Sequence, residues 1–199
     1  MSGQLPASGT VMVRDAFVSG ATCQALLDDI DFVWWTPSGT ISRTAAGALI
    51  GRLSICRTSM GSTEDWLGEA ARRALRRIEN RLAAIAGLDP ACLDPWQIVR
   101  YRRGELFEEH HDAGLFADSE HGERVATLLL YLDDQPGDSG ATVFPALQRR
   151  IAPRAGRLLL WRNLADDGSI DARMRHAGAP ARRTKTLLTT WLRQRPVRL

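Results

Sequence analysis

The chain has 199 residues, 44% of them apolar, and a formal charge of +3 at pH 7. That length fits one domain with a sizeable core, and so mild a positive balance does not by itself name nucleic acid as a partner. No apolar run approaches the ~20 residues that a membrane span needs. Three cysteines, Cys23, Cys56 and Cys92, with no Cys-x-x-Cys spacing, point to thiols in a reducing cytoplasm.

In chain order, "MSGQLPASGTVMVRDAF" lacks a basic region followed by an apolar run, so no signal peptide is expected. "SGATCQALLDDIDF" has helical apolar spacing and Ser19 as its cap. "WWTPSGTISRTAAGALIGRLS" reads as loop with one short strand, and its Trp34–Trp35 pair reads as helix-on-barrel packing, with substrate contact as the alternative. "STEDWLGEAARRALRRIENRLAAIAG" is the clearest helix. Ser62 or Thr63 would cap it, Gly87 would close it, and Trp66, Ala70, Leu75, Ile78, Leu82 and Ile85 would form its buried face. Arg72, Arg73, Arg76 and Arg77 are its solvated face. Residues 1–95 are thus expected to be a helical and loop support region.

After Pro95 eight short apolar runs alternate with Gly, Pro and Asp: "WQIVRY", "LFEEHHD", "RVATLLLYL", "GATVFP", "RRIAP", "GRLLLWRN", "ARMRHAG" and "KTLLTTWLR". Short strands with such regular turn signals predict a sandwich or jelly roll. The expected fold is one mainly β domain over residues 1–199. It has N-terminal helices and a jelly-roll core, the double-stranded β-helix of cupin-like folds, over residues 96–195.

Histidine is scarce, at positions 110, 111, 121 and 176. His110 and Asp112, two apart on a strand or its extended end, leave the same face and can reach one ion. His176, at the end of another strand-like run, is the natural third ligand. Two histidines and a carboxylate on one face of an octahedron are the arrangement of non-haem Fe(II) oxygenases. His111 is expected to point away from His110, and His121 to lie in a polar loop. Among 26 basic residues Lys185 is the single lysine. Alternation puts Lys185, Leu187, Thr189 and Trp191 on one strand face. A lysine facing a barrel interior is costly unless an anion meets it. A dicarboxylate with its other end on iron would do so; the alternative is a lysine at the strand's wet end.

These segments together resemble the prolyl 4-hydroxylase-like Fe(II)/2-oxoglutarate dioxygenases, from about residue 52 to residue 195. "YRRGELFEEHHD" looks like the family's Tyr-x-x-Gly…Phe-x-x-His-x-Asp segment. "RVATLLLYLDD" is similar to its Arg-x-Ala-Thr strand, "SGATVFP" to its Gly-Gly-x-Thr-x-Phe-Pro turn, and "RHAGAPARRTKTLLTTWLR" to its His…Pro…Lys…Trp segment. The resemblance implies His110, Asp112 and His176 as iron ligands and catalytic residues. Lys185 would take the distal carboxylate of 2-oxoglutarate, Tyr101 and Thr142 would donate to it, and Trp191 would line its pocket. Arg124, Arg57 (with Ser59) and Arg162 are the substrate-binding candidates. The glycine usual before the lysine is missing and the His-to-Lys segment is shortened, so Arg182 or Arg183 is a candidate to share the carboxylate. Ser139 and Ala181 also depart from the usual pattern.

The implied chemistry consumes 2-oxoglutarate and O2, with ascorbate supporting the iron, releases succinate and CO2, and hydroxylates an aliphatic C–H. A prolyl residue in a peptide is the implied substrate. A free or carrier-bound amino acid, or another small metabolite, is the alternative. A nucleic-acid demethylase and a non-catalytic cupin-like binding protein are less favoured. No membrane partner is expected. Leu128, Leu130, Phe144 and Leu160 could supply apolar pocket walls, with plain core as the reading for most of them, and residues 113–123 are expected to form a mobile lid.

Overall fold

The computed structural model describes residues 3–44, 48–53 and 56–198. In chain order the elements are β1 (Val11–Arg14), α1 (Gly20–Ile30), β2 (Thr36–Pro37), β3 (Gly39–Arg43), β4 (Leu49–Leu53), β5 (Met60–Thr63), α2 (Glu69–Ala86), β6 (Gln97–Tyr101), β7 (Phe107–His110), β8 (Arg124–Tyr131), β9 (Thr142–Phe144), β10 (Arg149–Ile151), β11 (Leu158–Arg162), β12 (His176–Gly178) and β13 (Lys185–Arg193). A seven-stranded antiparallel sheet in the order β1-β11-β8-β13-β6-β5-β2 faces a four-stranded one in the order β10-β9-β12-β7. Two antiparallel sheets facing each other around a common interior make the expected jelly roll, and all eight apolar runs after Pro95 are strands of it.

The large sheet is buried on both faces, which explains why its central strands read as continuous apolar runs. Ala126, Leu128 and Leu130 of β8 and Leu158 and Leu160 of β11 point outward. There they meet Cys23, Leu26 and Ile30 of α1 and Leu75, Ile78 and Leu82 of α2. Each fully buried Leu or Ile on this seam contributes roughly 1.5–3 kcal/mol. The alternate residues Leu129, Tyr131, Leu159, Trp161 and Leu187 point inward, toward Phe144 of the small sheet. Leu128, Leu130 and Leu160 are therefore outer core, the plain-core reading of them, because the strand period of two sends them to the helices.

Ser19 caps α1 as expected, accepting from the Thr22 N–H at 3.2 Å. The expected cap of α2 is wrong. Ser62 and Thr63 belong to β5, paired with Ile98 and Gln97 of β6. A single 3-10 turn follows, and α2 starts after Gly68. Sheet pairing here overrides a good capping sequence. Trp66 and Ala70 are consequently exposed, while Leu75, Ile78 and Leu82 hold the buried face and Ile85 is half-buried. Gly87 ends the helix in the left-handed conformation, φ 62°, with its N–H on Ala83 O.

The expectation of helix and loop before residue 95 is also corrected, since five strands lie there. The tryptophan-rich stretch holds β2 and the β3–β4 hairpin, although residues 45–47 and 54 of it lie outside the described residues. Trp35 packs against the outer core with the Arg100 guanidinium 4.4 Å from its ring centre, as helix-on-barrel packing requires; Trp34 is exposed. No helix among the described residues is long and apolar enough to cross a membrane.

Candidate active site

Antiparallel pairing of β7 with β12 sets His110 directly opposite His176, with ring centroids 4.3 Å apart. β7 ends at His110, and the bend after it turns Asp112 back toward both rings. His110 Nε2 lies 3.6 Å from Asp112 Oδ1, and His176 Nε2 lies 3.6 Å from Asp112 Oδ2. One ligand atom from each of the three falls within 4.8 Å of the others. Both Nδ1 atoms are tied to backbone, His110 to Glu108 O at 2.8 Å and His176 to Met174 O at 2.9 Å. A carbonyl accepts only from a protonated ring nitrogen. Each Nδ1 therefore carries the proton, and each Nε2 lone pair is free toward Asp112. Phe107 stacks on His110 at 3.6 Å and fixes the ring plane.

Burial alone would raise Asp112, but His176, His110 and the Thr127 hydroxyl overrule it and hold the carboxyl well below its ordinary range. Burial pushes His176 down to about 4 against the pull of Asp112, leaving it a neutral base at physiological pH. Thr127 is a site residue that the sequence reading did not single out. Its hydroxyl donates to Asp112 Oδ2 at 2.7 Å, and Asn163 Oδ1 lies 3.0 Å away on the other side. Its position at an inward place on β8 was the available signal.

Above this triad lies a cavity of about 440 Å³ between the two sheets, within the roughly 300–1,000 Å³ typical of small-molecule sites. Lys185 and Tyr101 face each other across β13 and β6. The lysine is 1% exposed, so it does not sit at the strand's wet end. Its Nζ donates to Gly140 O at 3.0 Å and rests 4.0 Å from the centre of the Tyr101 ring. Burial, partly opposed by Asp133, pushes its pKa down to about 8. Gly140 has φ +64°, and a Cβ there would come within 3.0 Å of Lys185 Cδ, so glycine is required beside the ammonium. Thr142 reaches the cavity, with its hydroxyl held by Tyr131 OH. Burial raises both tyrosine hydroxyls, Tyr101 and Tyr131, so both stay protonated donors.

Trp191 lines the cavity with the Arg124 guanidinium 3.6 Å from its ring centre. Arg124 also lines it, lies 3.3 Å from Asp94 through Nε, and is pushed down by burial. Arg57 lines it from the other side, 4.8 Å from the Phe107 ring centre, with its Nε on Ser59 Oγ at 3.2 Å. Three expectations fail. Arg162 is outside the cavity and pairs with Asp166 at 2.8 Å, because it alternates away from Trp161. Arg182 and Arg183 are exposed and do not line the cavity; their backbone N–H groups donate to Ser139 Oγ and Gln135 Oε1. His111 lines the cavity instead of turning its back, since the strand has already ended and alternation no longer holds. His121 lies in a loop with Nδ1 on Pro196 O, as expected. Phe144 meets the edge of Trp161 and packs near His176, so it supports the site from behind. Segment 113–123 is a braced wall: Gly114 and Phe116 N–H both donate to Glu123, and Arg193 ties Ser119 and Gly122.

The profile described as the 2OG-Fe(II) oxygenase superfamily matches residues 96–193. Prolyl 4-hydroxylase subunit alpha-1 of Gallus gallus is 32% identical over 141 residues, covering 67% of this chain and 27% of the relative. The chain spans about a quarter of the length of the curated relatives it matches. A viral collagen prolyl hydroxylase from Paramecium Bursaria Chlorella virus-1, in its 2OG complex, superposes with a TM-score of 0.61 at 19% identity, covering 92% of this chain and 95% of that one. A prolyl hydroxylase from Trichoplax adhaerens, in complex with a hypoxia inducible factor oxygen degradation domain peptide fragment, gives 0.62 at 16% identity, covering 92% and 83%. At such identities the two structures speak for the jelly-roll fold. The matched core of this chain, residues 96–193, belongs to the 2OG-Fe(II) oxygenase superfamily.

Proposed function

We propose that this protein is an Fe(II)- and 2-oxoglutarate-dependent dioxygenase that hydroxylates an aliphatic C–H, with a prolyl residue of a peptide as substrate. The observation that carries the reading is one cavity holding two unlike halves of a single binding problem. At one side two imidazole nitrogens and a carboxylate oxygen converge. At the other a buried ammonium has no carboxylate within ion-pair distance among the described residues. His110, Asp112 and His176 would hold a ferrous ion, a donor set of two nitrogens and one anionic oxygen that suits that metal. Lys185 would bind the far carboxylate of 2-oxoglutarate, with Tyr101 and Thr142 donating hydroxyl hydrogens to it. When bound, the iron and its oxo-acid supply the O2-dependent oxidation that releases succinate and CO2.

The protein's own part is orientation and exclusion of water. The Glu108 and Met174 carbonyls fix the imidazole tautomers, and Thr127 fixes the carboxylate. Val99, Leu129, Leu187 and Trp191 line a largely apolar cavity. Arg124 and Arg57 are the substrate contacts in this reading. Thr36, Pro37 and Ile41 of β2 and β3 line the cavity at solvent-exposed positions, and the similarity to prolyl hydroxylases, one of them in complex with a peptide, supports that substrate class. The thiols of Cys23, Cys56 and Cys92 fit a cytoplasmic setting. The test is succinate release with Fe(II), ascorbate and O2, run against proline-containing peptides and against free amino acids. Hydroxylated peptide is the expected product. Turnover with free amino acids alone would move the substrate to that class, and no succinate with either would end the enzymatic reading.

A further inference from the structure

The inward residues of three neighbouring strands line up in one row, because Trp161 of β11 and Trp191 of β13 are each register partners of Thr127 on β8. The middle residue holds Asp112. Its two flanking indoles share an unusual state: both Nε1–H groups are buried and neither has a hydrogen-bond partner. Trp161 is 0% exposed, yet it lines the cavity. Its ring meets His176 edge-on at 4.9 Å and Phe144 at 5.2 Å. A buried indole N–H normally finds an acceptor, because leaving a donor unpaired there costs free energy and no apolar gain requires it. Trp191 already belongs to the pocket wall; Trp161 has no role so far.

We propose that Trp161 is a ligand-binding residue whose indole N–H donates to a carboxylate oxygen at the metal-facing end of the bound oxo-acid. Three observations select that acceptor. Trp161 sits on the cavity floor beside His176 and Thr127, on the side of the convergent triad. Trp161 lines the same cavity as Lys185 and Tyr101, so an oxo-diacid held at the lysine shares that space with the indole. Asp112, the carboxylate of the triad, already accepts from Thr127 and faces the two imidazole Nε2 atoms. The inference rests on the reading that this cavity binds an oxo-diacid, and it adds a donor distinct from Lys185 at the opposite end.

The probe is N-oxalylglycine with Zn(II), which keeps the protein diamagnetic and stops turnover. In protein carrying nitrogen-15 in its tryptophan side chains, the assigned Trp161 indole proton should move downfield and exchange more slowly with solvent when the probe binds. Trp161→Phe keeps an aromatic ring and deletes the donor. It should weaken the probe about 10- to 100-fold, the usual value of a hydrogen bond to a charged acceptor, while Zn(II) alone binds as before. Binding of the probe with no movement of the Trp161 signal, or equal affinity in Trp161→Phe, overturns the inference and leaves the proposed function standing. No binding of the probe to the wild-type zinc form overturns both. The wild-type spectrum decides the matter even if the variant does not fold.

Discussion

Lys185→Met should make the unliganded protein more stable while nearly abolishing binding of 2-oxoglutarate. Methionine keeps the unbranched length and packs well against an aromatic face. The wild-type ammonium is 1% exposed, and burial brings its pKa from 10.5 to about 8. That fall corresponds to roughly 3 kcal/mol of folding free energy. The folded state holds this proton less tightly than the unfolded state. The penalty is therefore full below pH 8, shrinks between pH 8 and pH 10.5, and is absent above. Methionine removes it but strands the Gly140 carbonyl, at a cost of roughly 1–3 kcal/mol. The expected net gain is about 1 kcal/mol at pH 7, declining and turning to a loss as the pH approaches 10.5. Urea unfolding of both proteins at several pH values measures the difference; groups remote from the lysine cancel, whereas Asp133, which burial raises to about 6 against the pull of the Lys185 ammonium, loses that pull in the variant and is counted with the lysine. In parallel, 2-oxoglutarate affinity of the metal-loaded protein should fall at least 30-fold, as roughly 2–5 kcal/mol for truncating a buried charged partner requires. A variant less stable than wild type at pH 7, with a difference that does not change with pH, would refute the idea that Lys185 is a destabilised cation waiting for an anion.

Thr127→Val keeps the side-chain shape and removes the donor to Asp112; metal affinity by calorimetry should fall about 10- to 100-fold with the circular dichroism spectrum unchanged. Asp112→Ala should abolish turnover and stable metal binding without unfolding the protein, which thermal denaturation of the metal-free form checks. Arg162→Ala should leave succinate release unchanged and stability within about 0.5 kcal/mol, since its exposed pair with Asp166 is of the kind that contributes little. Loss of activity there would return Arg162 to the substrate site.

The most legible parts of the sequence were those governed by period-two alternation and by residue chemistry. All eight strands after Pro95 and the inward set Lys185, Leu187, Thr189 and Trp191 followed from alternation on buried strands. His110, Asp112 and His176 stood out because imidazole is scarce, and the fold brings them within ligand distance of one another. The failures have local causes. Ser62 and Thr63 form a good capping sequence, but a neighbouring strand, β6, claimed their backbone, and that partner lies more than 30 residues away. The β3–β4 hairpin lacks an apolar stripe because it stands over a cavity and not on a core. Arg162 is a pocket candidate by type and neighbourhood, yet a shift of one residue on a strand sends a side chain to the opposite face. Thr127 and Trp161 were missed for the converse reason. A threonine and a tryptophan in apolar runs look like core until the register aligns them beside Asp112 and His176.

The most direct test is a crystal structure of the protein with Mn(II), the redox-stable substitute for the ferrous ion, and N-oxalylglycine. The account predicts one metal peak coordinated by His110 Nε2, Asp112 and His176 Nε2, with the far carboxylate of the ligand on Lys185 Nζ. A metal bound elsewhere, or the carboxylate carried by an arginine while Lys185 stays on Gly140 alone, would contradict it.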